Sequence, residues 1–577
     1  MIEMNRTNKY CILLLAVLVS SLITKGHAQS PYDSAYAALA KKRPEKLFVF
    51  TDRSLYAVNE SILFSATLQS GSESLAGSGS KVLYVELVNT RGEAVSKGKY
   101  PIAEKRSTGH ISIPSSIASG NYYLRSYTRW MRNFGASDFT YSPIRVVNPF
   151  SIEVTEESPG KGKPGLAPIQ KGSPEVLVLT SSPSYGVDAL VDVELALREG
   201  SFSQIQNACL TVVPAGSIDT SAFLHRIESK PDMPVAFQFN YLPDRKGTAI
   251  SGTVLDQNNG EPVSDTRIHF SILGEDPAYL VSTSDQEGRF LLKIPSRLGN
   301  QEMFVVPEQG PDQSLEVRIA NDFTTEALPF SPGSYALRED EKLLASRLSL
   351  QMQLQLTFLA ESAPDTSTIT NLIEPVPFYG RPEISIKLDE FINLPNMEEV
   401  IENLIPLTYV VRRGGKADFL IKSDNPMISL YRPLILIDHI PVFDMDVVLA
   451  LPPSKIDRIE VIPEVYVLGE VKYGGIICFT SRQGDLAGMK LAEGSYFFDY
   501  ASLHPPLAPQ VPRYKGGSSI PDTRNTLLWM DHLELHKGSS SKVSFQAASV
   551  PGTYLILFRG VSSEGSIVYG MNRFRVE

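Results

Sequence analysis

RPLILIDHIPVFDMDVVLALPPSKIDRIEVIP, Arg432 to Pro463, sets two short apolar strand runs, LILID and RIEVI, around a polar turn, a helical stretch and a double proline. Such a segment reads as one compact α/β unit. Its flanks extend it: DEFINLPNMEEVIENLI has helical spacing before it, and VKYGGIICFTSR adds a third apolar run after it. Residues 381–484 are therefore expected to fold together. LILID, RIEVI and GGIICF should form the sheet, and the preceding helix should cover one face through Phe391, Val400 and Ile401.

The rest of the chain reads differently. KLFVFTDRSLYAVNESILFSATL, from Lys46, gives two strands around a turn, and KVLYVELVNTRGEAVSKGKY gives a hairpin with an Arg-Gly corner, so residues 29–154 read as a β-sandwich. A Pro, Gly and Lys-rich linker spans 155–174, and a second β module 175–245. GTAISGTVLDQNNGEPVSDTRIHFSILGEDPAYLVSTSDQEGRFLLKIP alternates around turns at NNGEP and DQEGR, making 246–322 a third small sandwich. Residues 323–380 read as a linker in which Glu339 to Leu359 is open to two readings: LSLQMQLQLTF alternates like a strand, while the richness in Leu, Gln, Met and Glu, with no β-branched residue before Thr357, favours a helix. An extended linker follows over 485–520, and alternation returns in a C-terminal sandwich, 521–577.

One repeat supports this division. Ile111, Ile113, Gly120, Tyr122 and Leu124 recur at a constant offset as Val543, Phe545, Gly552, Tyr554 and Ile556. Each set is a hairpin with a Gly turn and an inward Tyr, so the first and last sandwiches read as copies of one module.

With 577 residues the chain exceeds one core, and domains of roughly 100 to 150 residues make it a string of about four or five. At the N-terminus, Arg6 and Lys9 precede an apolar run from Cys11 to Ile23 with Gly26 and Ala28 beyond, the pattern of a secretory signal over 1–28 cut after Ala28. That run is shorter than the roughly 20 residues a spanning helix needs. Cys11 opens the run rather than following it, which argues against lipidation. Cleavage removes three cations and one anion and takes the formal net charge from −10 to −12, a poor surface for nucleic acid. Cys209 and Cys478 each sit inside an apolar strand pattern and read as buried thiols in separate cores.

TDRSLYAVNESILFSATL with SGNYYLRSYTRWM resembles the macroglobulin-type β-sandwich. SGTVLDQNNGEPVSDTRIHF with STSDQEGRFLLKIP resembles the carboxypeptidase regulatory-like domain, a structural or adhesive module. RPLILIDHIPV, IDRIEVI and KYGGIICFTSR together resemble the plug domain of TonB-dependent outer-membrane receptors, with Asp438-His439 where that pattern usually has Asp-Gly. The order of these units resembles a family of secreted Bacteroidota proteins. The fold class implied is mainly β: a string of Ig/macroglobulin-like sandwiches with one α/β plug-like domain.

A receptor plug sits in a barrel that takes more than roughly 200 further residues, whereas 96 follow Ser481, so the unit is expected to lack a barrel on this chain. No HExxH, CxxC, GxSxG or phosphate-loop pattern occurs, and neither Cys209 nor Cys478 has the Cys-x-Glu-Gln setting of a reactive thioester. His532, Glu534 and His536 of HLELH share one face of a strand and are the best metal candidates, but they read better as a solvated strand face. His439 beside Pro441 reads as a turn residue rather than a proton switch. The chain thus nominates no catalytic residue, cofactor or metal. The expected function is binding: an exported, non-enzymatic protein of the periplasm or outer membrane that engages an outer-membrane protein through the plug-like unit. Phe443, Met445 and Tyr473 are expected as its exposed apolar loop groups. The competing readings are a transport component working with a barrel on another chain, and an enzyme or protease inhibitor.

Overall fold

The computed structural model describes residues 45–70, 79–155, 164–169, 174–198, 204–221, 224–227, 240–310, 313–361, 377–504, 522–562 and 565–577. The signal segment, the Gly/Ser loop after Ser70 and most of both Pro-rich linkers lie outside them. The first sandwich has eight strands: β1 (Glu45–Thr51), β2 (Leu55–Ala57), β3 (Ser61–Ser70), β4 (Val82–Val88), β5 (Ala94–Pro101), β6 (Arg106–Ser112), β7 (Gly120–Tyr127) and β8 (Thr140–Val147). They form two sheets, β1-β3-β6 and β2-β8-β7-β4-β5. Alternate residues such as Ile62, Phe64, Ala66 and Leu68 on β3 point into the shared core. β4 is buried on both sides because Phe323, Leu328 and Phe330 from much later in the chain lie against this sandwich.

A second sandwich repeats this plan. Its strands are β9 (Val176–Thr180), β10 (Ser184–Tyr185), β11 (Leu190–Leu197), β12 (Gln204–Pro214), β13 (Leu528–His536), β14 (Ser540–Gln546), β15 (Gly552–Val561) and β16 (Ile567–Val576). The sheets are β9-β11-β14 and β10-β16-β15-β12-β13, strand for strand the order of the first sandwich. Even the short parallel pair recurs, β2 on β8 and β10 on β16. The turn before it recurs as well. Tyr56 Oη accepts the Arg53 N–H and Tyr185 Oη the Ser182 N–H, both at 3.0 Å, and Asn59 and Asp188 take the left-handed conformation that Asn and Asp tolerate. Tyr122 and Tyr554 are both buried, and each donates its hydroxyl to a carbonyl four residues back, Ala118 or Val550, at 2.9 Å, in the manner of a tyrosine corner.

The modules expected at 175–245 and 521–577 are thus halves of one sandwich. Four strands from either half would leave the edges of β11 and β12 unpaired and an apolar face open. Pairing of β11 with β14, and of β12 with β13 and β15, closes both sheets around one core. The described residues between Pro214 and Leu528 belong to an insertion between its fourth and fifth strands.

The insertion holds a smaller sandwich, with one sheet of Arg289–Lys293, Ala249–Asp256 and Leu315–Ile319, and another of Ala278–Thr283, Arg267–Ile272, Asn300–Pro307 and Tyr496–Ala501. The last strand lies in the segment expected as extended linker at 485–520. Its alternation sends Tyr496, Phe498 and Tyr500 onto the core of this sandwich, which corrects that boundary. Helix α1 (Glu339–Glu361) forms where good helix formers cluster and lies over β2 through Ala345, Leu348 and Leu55.

Residues 384–481 form the α/β unit. LILI (Leu434–Ile437), IDRIEVI (Ile456–Ile462) and IICFTS (Ile476–Ser481) are neighbours in one sheet, with Ile384–Lys387 and Ile440–Pro441 at its edges. Asp438 and His439 both have positive φ, making the two-residue turn that joins Leu434–Ile437 to its edge strand. Gly474 is required: a Cβ there would sit 2.2 Å from the Tyr431 carbonyl oxygen. Helix α2 (Met397–Leu404) starts only at Asn396, whose side chain accepts the Glu399 N–H, and α3 (Met445–Leu449) starts at Asp444 in the same way. Phe391, expected on the covering helix, therefore lies outside it and is exposed, whereas Val400 and Ile401 are buried as expected.

Candidate partner-binding site

Strand alternation gives the sheet of the α/β unit two apolar faces. Ile435, Ile437, Ile459, Val461, Ile477 and Phe479 face a layer built from α2, α3 and the hairpin Thr408–Arg413/Lys416–Ile421. Leu434, Leu436, Ile476 and Cys478 face the other way, onto Tyr379, Tyr473 and Tyr279. Tyr279 belongs to the small sandwich, so the α/β unit is docked on that sandwich by this second face.

This docking decides the fate of the sequence candidates. Tyr473 is buried, 9% exposed, with its hydroxyl 3.3 Å from that of Tyr279. Met445 is 7% exposed because it is the first residue of α3 and turns into the core. Neither is an exposed loop group. Phe443 remains 44% exposed, but one side of its ring lies 4.8 Å from the His269 ring of the small sandwich. The three candidates thus do not form one free surface.

The docked face carries polar groups that the sequence did not single out. In RIHFSI, Ile268, Phe270 and Ile272 fill the small sandwich's core, which leaves His269 and Ser271 on its other side, a pattern that reads as solvated. Instead His269 is 2% exposed, its Nδ1 2.6 Å from Tyr279 Oη, and Ser271 donates its hydroxyl to the His439 carbonyl at 2.8 Å. Tyr379 donates to Glu460 Oε2 at 2.7 Å. Burial lowers the pKa of both His269 and His439 below the usual histidine value. No local sequence signal separates a strand face that is solvated from one that docks.

The exposed apolar groups of the unit lie elsewhere. Ile392 and Phe391 precede α2, Leu407 follows it, Tyr409 is on the hairpin, and Met427 and Leu430 lie on the turn Pro426–Leu430. These lie around the layer over the first face; Val467, on the hairpin Tyr466–Leu468/Val471–Tyr473 beside the second face, is exposed as well. Arg412 pairs with Glu398 and Lys422 lies over the Tyr409 ring, so charged groups of both signs border the residues around the first layer.

The remaining candidates are plain. His532, Glu534 and His536 are exposed on one face of β13, each imidazole Nε2 3.8 Å from a Glu534 oxygen. Among the described residues no three His, Cys, Asp or Glu side chains converge as a metal requires. Cys209 and Cys478 are free thiols buried in different clusters, and burial pushes the Cys478 thiol up to about 12. A cleft of about 1170 Å³ opens between the two large sandwiches. Its Arg145 pairs with Glu341 at 2.8 Å, tying α1 to β8, and its Arg338 pairs locally with Asp340 at 3.2 Å. No helix among the described residues is long and apolar enough to cross a membrane.

No family model matches the chain, and no curated protein matches it. Among solved structures, Escherichia coli α-2-macroglobulin activated by porcine elastase is 9% identical with a TM-score of 0.22, covering 92% of this chain and 44% of that one. Salmonella α-2-macroglobulin reacted with methylamine is 9% identical with a TM-score of 0.22, covering 95% and 40%. Dimeric latent PorU from Porphyromonas gingivalis is 9% identical with a TM-score of 0.16, covering 48% and 33%. The chain thus spans less than half the length of each, and superpositions this loose assign neither a family nor a function.

Proposed function

We propose that this chain is an exported, non-enzymatic protein of the cell envelope that binds an outer-membrane protein through its plug-like α/β unit, with the sandwiches as a rigid mount. One observation carries this reading: the unit's second sheet face is covered, by Tyr379 and Tyr473 together with Tyr279 of the small sandwich, while Phe391, Ile392, Leu407, Tyr409, Met427 and Leu430 remain exposed around the layer over the first. Apolar groups of this size suit a protein surface with an apolar centre and a polar rim.

The test is in-cell photocrosslinking from Ile392 and Leu430, with exposed Leu298 on the small sandwich as control. The expected result is one outer-membrane protein captured from both test positions and not from Leu298, and its loss from copurification by about tenfold in the Ile392→Glu/Leu430→Glu variant. Adducts confined to this chain, or equal capture from Leu298, would overturn the reading.

A further inference from the structure

Two histidines meet at the docked face of the α/β unit, one from each side, His269 buried and His439 half-buried, and each has a buried ring nitrogen with no hydrogen-bond partner: Nε2 of His269 and Nδ1 of His439. Their acidic neighbours are shared with other groups. Glu308 lies 3.7 Å from His269 Nε2, beyond hydrogen-bond reach but within ion-pair distance, and is also held by Arg267 at 3.2 Å; burial outweighs its pull on the ring. Asp438, beside His439, accepts the Ser481 N–H, the Ser481 hydroxyl and the Leu486 N–H. Glu460 accepts the Tyr379 hydroxyl and pairs with Arg458; at His439 burial, which disfavours the charged ring, outweighs the opposing pull of Asp438 and Glu460, and Arg458 adds to the burial effect. The other titratable groups at these rings are the Tyr279, Tyr379 and Tyr473 hydroxyls and the Cys478 thiol, all uncharged at neutral pH.

We propose that His269 and His439 form a proton-sensitive latch, which keeps the plug-like unit docked on the small sandwich at neutral pH and releases it on acidification. Docking favours both rings neutral, since a proton on either places a cation in a largely apolar contact where burial outweighs the nearby carboxylates. The sign follows from burial. Both groups titrate lower when docked than at their ordinary value of 6.5, so their contribution is complete above that value and is lost as pH falls below it. Release would uncover the part of this cluster that Tyr279 and Val281 cover, Tyr473 among it, a second apolar surface distinct from the outer layer. The latch does not depend on what that outer layer binds.

A photoreactive phenylalanine analogue at Phe443, in the full chain, reads the latch. The expected result is crosslinking onto Arg267–Ile272 that falls by about fivefold or more between about pH 7.5 and about pH 5. The fall should be absent in His269→Asn/His439→Asn, where Asn retains a polar partner for Tyr279 and accepts the positive φ of position 439. Hydrogen exchange on the unsubstituted chain, corrected for intrinsic rates, should show Ala278–Thr283 and Val471–Tyr473 losing protection together at acid pH while Gly552–Val561 keeps it. Unchanged crosslinking, an equal fall in the double variant, or loss of protection in Gly552–Val561 at the same pH would overturn the latch.

Discussion

Asp52→Ala is expected to destabilise the paired large sandwiches by about 3–5 kcal/mol, the cost of stranding a buried charge network. Asp52 is 1% exposed and accepts four hydrogen bonds: from the Tyr56 hydroxyl at 2.7 Å, the Leu63 N–H at 3.0 Å, the Thr526 hydroxyl at 2.6 Å and Arg53 Nε at 3.3 Å. Its loss leaves Arg53 with Glu60 as its one remaining carboxylate partner, at 2.9 Å, and strips an acceptor from three buried donors. The network also joins the sandwiches, since Thr526 and Asn525, which donates to Glu60 at 2.7 Å, lead directly into β13. Urea unfolding followed by tryptophan fluorescence measures the effect. The chain has two tryptophans, Trp130 after β7 and Trp529 in the contact between the large sandwiches, so the signal follows these and not the insertion. Asp52→Asn should fall between Ala and the parent, because it retains one acceptor without the charge. A loss below about 1 kcal/mol for Asp52→Ala would show that the network is dispensable.

The second large effect tests the repeat. Tyr122→Ala and Tyr554→Ala should each cost about 3–5 kcal/mol, because each ring is buried and each leaves a cavity in its core. The Phe variants should cost about 1 kcal/mol each, the worth of one hydroxyl bond to a backbone carbonyl. Tyr554→Phe should cost slightly more than Tyr122→Phe, since Arg347 of α1 also donates to the Tyr554 hydroxyl. The same unfolding measurement applies. Ala variants that differ by more than about 2 kcal/mol would mean that the two positions are not energetically equivalent, whatever their topology.

The repeat was legible from five aligned positions because a Gly turn followed two residues later by an inward Tyr is a local pattern. A further part was legible but passed unread: TDRSLYAVNE (51–60) and TSSPSYGVDA (180–189) share Thr, Tyr and Val at matching positions and fold as the same turn. That match would have placed a copy of the first sandwich's opening strands in the module at 175, and so pointed to a partner for the C-terminal half. The candidate site was less legible. Met445 reads as a loop residue until the Asp444 cap starts a helix there, and Tyr473 reads as exposed until Tyr279 arrives against it.

Sequence alone determined a mainly β chain, the three apolar runs that become one sheet and the Tyr hairpins, because periodicity and turn chemistry act over a few residues, while the stretch from Glu339 alternates like a strand and folds as the helix its composition favours. Only the tertiary structure decided that strands on either side of the insertion complete one sandwich, that Tyr496–Ala501 belongs to the small sandwich, and that His269 meets Phe443 rather than water. These are pairings between segments far apart in the chain. An amphipathic strand announces that one face must be covered, and its partner is selected only when the whole chain has folded and the competing edges and apolar faces are taken.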